Sequence, residues 1–215
     1  KKEIVMPPAY KSVPALDKCF AVLDLLSKTD KPFGISDISK KLALNKSTVF
    51  NMVYTLIDLK VLEDLGGGKF GFGPRLYMLG SASGKRSELI QVVHPYLERI
   101  NQETKLSTFL GIRSDLKTVL IDKADSAHGI RLSAEIGMQM PVLGGVGIKA
   151  MLSQLSQAEV AGLLEKTDFR KYSPETIMDK KRYLKEIDRV RSEGIALDRE
   201  EYMEGMIAVG TPIKT

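Results

Sequence analysis

The sequence predicts an α+β protein with a winged helix-turn-helix domain at its N-terminus and an α/β domain at its C-terminus. Three observations predict this fold class. Helical apolar spacing and then a glycine-rich hairpin fill the first seventy-odd residues, helices and strands alternate afterwards, and the positive charge is uneven. The expected boundaries are 1–73 for the winged-helix domain, 74–86 for a linker helix and 87–215 for the α/β domain. A chain of 215 residues has room for two small domains.

Composition excludes several classes of protein. With 43% hydrophobic and 27% charged residues, the chain is globular rather than disordered. No apolar run reaches the roughly 20 residues that span a bilayer, and no segment has the order of a signal peptide, so we expect a cytoplasmic protein without a membrane partner. The single cysteine, Cys19, excludes an intramolecular disulfide and fits a reducing compartment. With only two histidines, neither a metal site nor a cofactor is expected.

The excess positive charge lies entirely in the first two-fifths of the chain. Residues 1–86 hold 14 Lys and Arg against 8 Asp and Glu, whereas residues 87–215 hold 18 against 19. A nucleic-acid-binding module joined to a neutral module has this asymmetry. Chance variation of surface charge is the alternative.

A first amphipathic helix is predicted over residues 14–28, since Pro14 suits a first turn and apolar side chains recur at helical spacing. These apolar positions are Leu16, Phe20, Leu23 and Leu26. The sequence Lys31-Pro32-Phe33-Gly34 then interrupts the helix.

Two further helices form the expected helix-turn-helix. Ser36 is the expected N-cap of a second helix from Asp37 to about Leu42, and Asn45 caps a third helix from Lys46 to about Lys60. The apolar stripe of the third helix consists of Val49, Met52, Val53, Leu56 and Leu59. In a helix-turn-helix, the second helix of the pair enters the major groove by its N-terminal residues.

The N-terminal turns of the third helix carry side chains suited to DNA. Lys46 can neutralise a phosphate, Asn51 can pair with adenine and Phe50 can touch a thymine methyl. The residues expected to contact DNA are Ser36, Lys46, Ser47, Thr48, Phe50, Asn51 and Lys69. The alternative is an ordinary helical surface, but Phe50 and Tyr54 on the outward face require a partner.

A hairpin directly after the third helix predicts the wing. Residues 61–64 and 69–72 are two apolar/polar runs that flank three glycines, Gly66 to Gly68. Lys69, near the tip, is expected to meet the DNA backbone.

These segments, together with others further along, resemble the isocitrate lyase regulator (IclR) family of bacterial transcription factors. The resembling segments are Ile38–Leu42, Lys46–Val49, Lys69–Leu76, Leu79–Gly80, His94–Arg99, Gly137 with Pro141, Lys149–Ala150 and Asp198–Tyr202 with Gly205. They follow one another in the family's order and spacing. The resemblance implies a repressor or activator that is a dimer or a dimer of dimers, with a GAF-like α/β domain that binds a small organic effector.

The second domain shows its own pattern of helices and strands. Residues 74–105 are expected to be mainly helical, with Leu89, Val92, Val93, Tyr96, Leu97 and Ile100 packed under a sheet. Strands are predicted at 109–112, 119–121, 130–133, 195–198 and 206–213, and helices at 148–155, 156–165 and 179–193. The charged side of the helix over 179–193 is interpreted as a solvated face.

The glycine-rich segment from Gly137 to Gly147 permits close backbone approach before a helix N-terminus, where an effector carboxylate would fit. A simple strand-to-helix turn is the alternative. The family resemblance implies a pocket here, lined by Leu132, Met140, Val146, Gly147, Asp198 and Ala208.

This sequence departs from the family pattern at several of these positions. Ala208 stands where a Cys is frequent, Ile148 replaces a Gly, and Gly145 stands where Thr or Ser is common. A roomier or more apolar pocket is therefore expected, suited to aromatic or larger acids rather than glyoxylate or pyruvate.

Asn51 stands where the family often has Arg, which would alter the operator sequence read. Related proteins continue past Ile213 with another strand and a helix, so the inferred pocket is expected to be incomplete in this chain.

The sequence also bears on two rival functions and on the oligomeric state. An enzyme is disfavoured, because His94 and His128 lack a nucleophile at a recognisable spacing and no phosphate loop is present. A winged helix that binds protein instead of DNA is the second rival. Specific reading of a palindromic double-stranded operator needs two half-sites and a two-fold dimer, for which Leu76, Leu79 and Ala82 of the linker helix provide an expected contact.

Overall fold

The computed structural model describes residues 10–29, 31–114, 116–126 and 134–214. The chain divides into two compact units, Lys1–Arg86 and Ser87–Thr215. In the described part of the chain, no helix is long and apolar enough to cross a membrane. The same residues contain no group of three or more His, Cys, Asp and Glu side chains that could hold a metal ion.

The first unit consists of three helices, a hairpin and a fourth helix. Its elements are α1 (Pro14–Ser27), α2 (Ile35–Leu42), α3 (Lys46–Asp58), β1 (Leu62–Gly66), β2 (Lys69–Phe72) and α4 (Pro74–Lys85). The two strands are antiparallel, with Leu62 opposite Phe72 and an irregularity between Asp64 and Gly66. Its core consists of Val22, Leu26, Ile38, Val49, Val53, Leu56, Leu62 and Phe70.

The first helix reaches this core only by its C-terminal half. Val22 and Leu26 are buried, whereas Leu16 and Phe20, which share the apolar side predicted for this helix, are 58% and 65% exposed. Helical spacing shows which side of a helix is apolar, and not how much of its length contacts the rest of the domain. Leu59, predicted for the α3 stripe, is also exposed, because α3 ends at Asp58.

The second unit packs its helices against two small sheets. Its elements are α5 (Glu88–Thr104), β3 (Thr108–Ser114), β4 (Lys117–Ala124), β5 (Gln139–Met140), α6 (Val146–Leu152), α7 (Gln157–Glu165), α8 (Lys180–Glu193), β6 (Ala196–Arg199) and β7 (Ile207–Gly210). One antiparallel sheet has the order β3-β4-β5 and the other pairs β6 with β7. The strand predicted at 130–133 lies outside the described residues.

Helix α5 covers the first sheet with a narrower stripe than predicted. Val93 and Leu97 pack against Leu110, but Val92, Tyr96 and Ile100 are exposed. The prediction that these three pack under a sheet was wrong, because a small sheet covers only one side of a helix. The main core of the unit joins α6, α7 and α8, and within it the hydroxyl of Tyr183 donates a hydrogen bond of 2.6 Å to the carbonyl oxygen of Val142.

Candidate DNA-binding surface and effector site

The start of α2 is held by the wing. Its N-cap is Gly34, and not Ser36 as the sequence suggested. The Asp37 carboxylate accepts hydrogen bonds from the Gly34 amide at 3.0 Å and from the Lys69 ammonium at 2.8 Å. Both bonds lower the pKa of Asp37, that from Lys69 more strongly. A Cβ at residue 34 would lie 2.8 Å from the carbonyl oxygen of Gly68, so the close approach of the wing requires glycine there.

The turn between α2 and α3 is tight and internally bonded. Ala43 ends α2 in the left-handed conformation, at φ 53°. The Leu44 amide donates to the carbonyl oxygen of Ser39 at 3.0 Å, and the Ser39 hydroxyl donates to the carbonyl oxygen of Leu44 at 2.6 Å. These bonds fix where the chain enters α3, and the exposed Lys46 and Ser47 form its first turn.

The outward face of α3 displays the residues predicted to contact DNA. Lys46, Ser47, Phe50 and Asn51 are exposed and Thr48 is half-buried. Asn51 uses its backbone carbonyl to accept from Thr55, and its side-chain amide makes no hydrogen bond to the residues that the structure describes. The donor and acceptor of this amide therefore remain available on an exposed helical face.

The two outward aromatic residues of α3 pack on one another and on the wing. The ring centroids of Phe50 and Tyr54 are 4.4 Å apart, and those of Tyr54 and Phe70 are 6.3 Å apart in an edge-on arrangement. Phe70 is buried in β2 and its amide donates to the carbonyl oxygen of Phe33. The aromatic row therefore gives α3 and the wing a shared surface and leaves Phe50 48% exposed.

The structure gives Lys69 a role that sequence reasoning missed. Its ammonium pairs with Asp37, so it holds the tip end of the wing against α2 and is not a free charge. The tip consists of Gly66, Gly67 and Gly68, all with positive φ. The pairing partner of Lys69 is 32 residues away in sequence, so no local pattern signals it. Contact of Lys69 with DNA stays a prediction.

The linker helix α4 is almost uncovered. None of its residues is buried; Leu76 is partly buried, and Leu79 and Ala82 are exposed. Tyr77 and Met78 expose 80% and 67% of their surface.

In the second unit, most predicted effector residues surround the start of α6. Gly145 caps this helix at φ 91°, and a Cβ there would lie 2.7 Å from Met140 Cε. The Val146 side chain packs closely against Gly210 of β7, and it also joins a cluster with Ala196 of β6. Leu132 lies outside the described residues.

The strand register places Asp198 and Ala208 on this same side. Asp198 is directly opposite Ala208, just as Ala196 is opposite Gly210. Because alternate residues of a strand share a face, all four face α6. These contacts and this register bring Met140, Val146, Gly147, Asp198 and Ala208 into one region.

Two buried polar atoms in this region lack a partner among the described residues. They are Asp198 Oδ2 and Thr118 Oγ1. Asp198 is fully buried, and its other carboxylate oxygen accepts from the Glu201 amide at 2.8 Å. Thr118 lies on β4 against Gly147, whose Cβ position would be 3.1 Å from Thr118 Oγ1. Thr118 was missed, and a lone Thr in a strand gives no signal in the sequence.

A buried ion pair holds the corner that follows Asp198. Lys149 on α6 is 1% exposed, and its ammonium donates to both carboxylate oxygens of Glu201 at 2.6 Å and to the carbonyl oxygen of Leu197 at 2.9 Å. Burial raises the pKa of Glu201, although the Lys149 ammonium opposes this shift. Lys149 therefore ties α6 to both ends of the segment that carries Asp198.

Two cavities in this unit lie away from the predicted effector residues. One, of about 160 Å³, lies among the β3–β4 turn, Pro141 to Leu143 and the segment after α7. The other, of about 590 Å³, lies between α8 and the end of β6. None of the predicted effector residues lines either cavity.

Comparison with known proteins decides the family. The model of the C-terminal domain of the bacterial transcriptional regulator IclR matches residues 82–214, and the IclR helix-turn-helix model matches residues 15–66. This chain belongs to the IclR family. The IclR resemblance predicted from the sequence motifs and the predicted fold class are both confirmed.

Individual IclR relatives are distant in sequence. The chain is 28% identical over 208 residues to the HTH-type transcriptional repressor AllR of Salmonella typhi, covering 96% of this chain and 76% of that protein. AllR of Escherichia coli K12 is 26% identical, over 96% of this chain and 77% of that protein.

Among solved structures, the IclR transcriptional regulator from Alicyclobacillus acidocaldarius gives a TM-score of 0.83 at 24% identity, covering 94% of this chain and 82% of that chain. An IclR homolog complexed with 4-hydroxybenzoate from Microbacterium hydrocarbonoxydans gives a TM-score of 0.77 at 20% identity, covering 94% of this chain and 83% of that chain. At these identities the likeness shows the fold.

Proposed function

We propose that this IclR-family regulator is a repressor that binds a specific palindromic operator and that a small organic acid modulates this binding. The observation that carries the DNA-binding part is the outward face of α3. Exposed polar side chains project from a helix whose entry turn and wing are both fixed by hydrogen bonds. Lys46 supplies a phosphate contact, Ser47 and Thr48 contact phosphate or base edges, and Asn51 reads adenine.

Dimerisation through α4 follows from the same geometry. One recognition helix reads only a few base pairs, so specificity needs a second half-site related by a two-fold axis. The exposed Leu79 and Ala82 of the linker helix are the proposed contact between two copies. The copies thus form a dimer or a dimer of dimers in the cytoplasm.

The unpartnered atoms around α6 support an effector site. A buried polar group without a partner costs about 1–3 kcal/mol, so a ligand that satisfies Asp198 Oδ2 and Thr118 Oγ1 gains affinity from both. Asp198 can accept a hydrogen bond from a ligand hydroxyl, and Thr118 can donate one to a carboxylate. The proposed effector is therefore an acid that also carries a hydroxyl group.

An aromatic hydroxy acid fits the residues of this site. Met140, Val146 and Ala208 provide apolar walls, and Ala208 occupies less volume than the Cys frequent in the family. The homologue from Microbacterium hydrocarbonoxydans was crystallised with 4-hydroxybenzoate, which is an acid of this kind. We propose no catalysis for the chain, since the matched relatives are named as regulators.

The DNA-binding part is tested by fluorescence anisotropy with a duplex from the intergenic region upstream of the gene. We expect Asn51→Ala to weaken binding by about 1–3 kcal/mol on the cognate duplex and little on a scrambled one, because it removes a base contact. Lys46→Gln should weaken both and reduce the salt dependence. Lys18→Gln removes the same charge from the exposed side of α1 and is the matched control. Equal losses for Lys46→Gln and Lys18→Gln would count against a DNA contact at α3.

The effector part is tested by thermal shift. Hydroxylated aromatic acids should raise the melting temperature more than glyoxylate or pyruvate, and Asp198→Asn should reduce that shift. Larger shifts with glyoxylate or pyruvate would contradict the proposed pocket.

A further inference from the structure

The cleft of about 590 Å³ in the second unit has walls with a particular charge pattern. One wall is a stripe of α8, formed by Arg182, Lys185, Glu186 and Arg189 at helical spacing, and the other contains Leu197, Arg199 and Glu201 from the end of β6. Glu175 and Ile177 complete the lining. Small-molecule sites occupy roughly 300–1,000 Å³, so the cleft is large enough for a metabolite. The prediction that the charged side of this helix is merely solvated therefore omits the cleft that this stripe lines.

Two carboxylates of the lining already have cationic partners. Glu186 accepts from Arg189 through both oxygens, at 2.7 and 3.0 Å. Glu201 is held by Lys149 from within the core. Neither carboxylate is therefore available to neutralise the other cations of the cleft.

Three cations of the lining have no such partner. The side chains of Arg182, Lys185 and Arg199 make no ion pair or hydrogen bond with the residues that the structure describes, and all three are exposed. The remaining carboxylate, on Glu175, is likewise unpaired among those residues. Three unpaired positive charges therefore face one negative charge across a concave surface, which concentrates a positive potential there.

We propose that this cleft binds a small polyanion, a phosphorylated metabolite. Guanidinium groups bind phosphate oxygens through two parallel hydrogen bonds, and two of the three free cations are arginines. A phosphate dianion neutralises more of this charge than a single carboxylate does.

The proposed site is separate from the effector residues. Leu197 and Arg199 alternate with Asp198 along β6, so they lie on the opposite face of the strand. The two sites nevertheless share a corner, because Glu201 lines the cleft while its amide donates to Asp198 Oδ1 at 2.8 Å.

The test is isothermal titration calorimetry of the full chain with sodium pyrophosphate, against sodium chloride of equal ionic strength. We expect a Kd of about 1 mM or tighter for the unaltered chain, and binding at least about tenfold weaker in the triple variant Arg182→Gln, Lys185→Gln and Arg199→Gln. The matched control removes three positive charges from exposed side chains outside the cleft, through Lys166→Gln, Lys171→Gln and Lys181→Gln, and should bind within about twofold of the unaltered chain.

Thermal melts without pyrophosphate verify that both triple variants are folded, which the exposure of all six side chains favours. If the cleft triple melts early, the single variant Arg199→Gln replaces it and should still weaken binding at least about threefold. Equal losses in the two triple variants would show a response to net charge and overturn the proposal. Absence of binding to the unaltered chain would overturn it too. Neither result bears on DNA binding, which uses the other unit.

Discussion

Replacing Lys149 by Met breaks the buried ion pair beside the effector residues while keeping a side chain of similar length. The ammonium donates three hydrogen bonds, two to Glu201 and one to the carbonyl oxygen of Leu197. The Lys149 and Glu201 side chains are only 2% and 12% exposed. The substitution therefore leaves a nearly buried carboxylate without a cation and a carbonyl without its donor.

The expected loss is a large part of the stability of the second unit. Removing one partner of a buried pair costs about 3–5 kcal/mol, because the other charge remains buried without compensation. Typical domains are stable by about 5–15 kcal/mol. Glu201→Gln should also destabilise, since it leaves the Lys149 ammonium in the core. The double variant, Lys149→Met with Glu201→Gln, should lose less free energy of unfolding than the two single variants together. The difference should be about 1–3 kcal/mol, because residues in contact are coupled.

The loss in free energy of unfolding caused by Lys149→Met should depend on pH. Burial raises the pKa of Glu201, and without the ammonium nothing opposes that shift. A carboxyl whose folded-state pKa lies above its unfolded value stabilises the fold at low pH and loses that contribution as pH rises through the folded pKa. The variant should therefore be closer to the unaltered chain at pH 5 than at pH 8.

Urea unfolding of the full chain, followed by circular dichroism at both pH values, measures these losses. The transition of the first unit serves as the internal control and should not move. A loss below about 1 kcal/mol at pH 8, or strict additivity of the two single variants, would refute the argument that this pair ties α6 to the Asp198 segment.

Three further predictions concern other contacts. Tyr183→Phe leaves the buried carbonyl of Val142 without its donor and should cost about 1–3 kcal/mol in urea unfolding; a neutral effect would contradict a bond there. The hydrogen bond from His94 Nδ1 to Asp122 Oδ2, 2.8 Å, raises the pKa of His94, so its stabilisation is present below the unfolded-state value and is lost as pH rises through the raised pKa. Asp122→Asn should therefore destabilise more at pH 5.5 than at pH 8.5 and lower the His94 pKa in an NMR titration, and an unchanged pKa would exclude the contact. Asp37→Ala removes the carboxylate that accepts from the Gly34 amide and from the Lys69 ammonium, and should lower the melting temperature of the first unit, whereas no change would show that the wing is held elsewhere.

Local patterns predicted most of the elements in this chain. The stripe of Val49, Val53 and Leu56 and the Asn45 cap defined α3, since both features repeat within a few residues. The glycine-rich hairpin was predicted because three consecutive glycines permit the positive φ values of its turn. For the effector region, the family resemblance supplied Asp198 and Ala208, which the register of β6 and β7 places opposite one another.

The errors arose where distant segments decide the local structure. Gly34 rather than Ser36 is the N-cap of α2, and the Asp37 carboxylate that accepts from the Gly34 amide also pairs with Lys69 of the wing, 32 residues away. The exposure of Leu16 and Phe20 was not predicted either, because helical spacing does not show how much of α1 the rest of the domain covers. The pair of Lys149 with Glu201 joins residues 52 positions apart, so no periodicity reveals it.

The measurement that tests the central claim most directly is a titration of the full chain against duplex DNA from its own upstream intergenic region. Fluorescence anisotropy would be recorded at two salt concentrations, beside a scrambled duplex of the same length. A specific regulator should bind the native duplex at least about 10³-fold more tightly than the scrambled one, with affinity that falls as salt rises. Equal, weak binding to both duplexes, persisting with hydroxylated aromatic acids and with a genomic fragment library, would contradict the account and assign the winged helix to protein contacts instead.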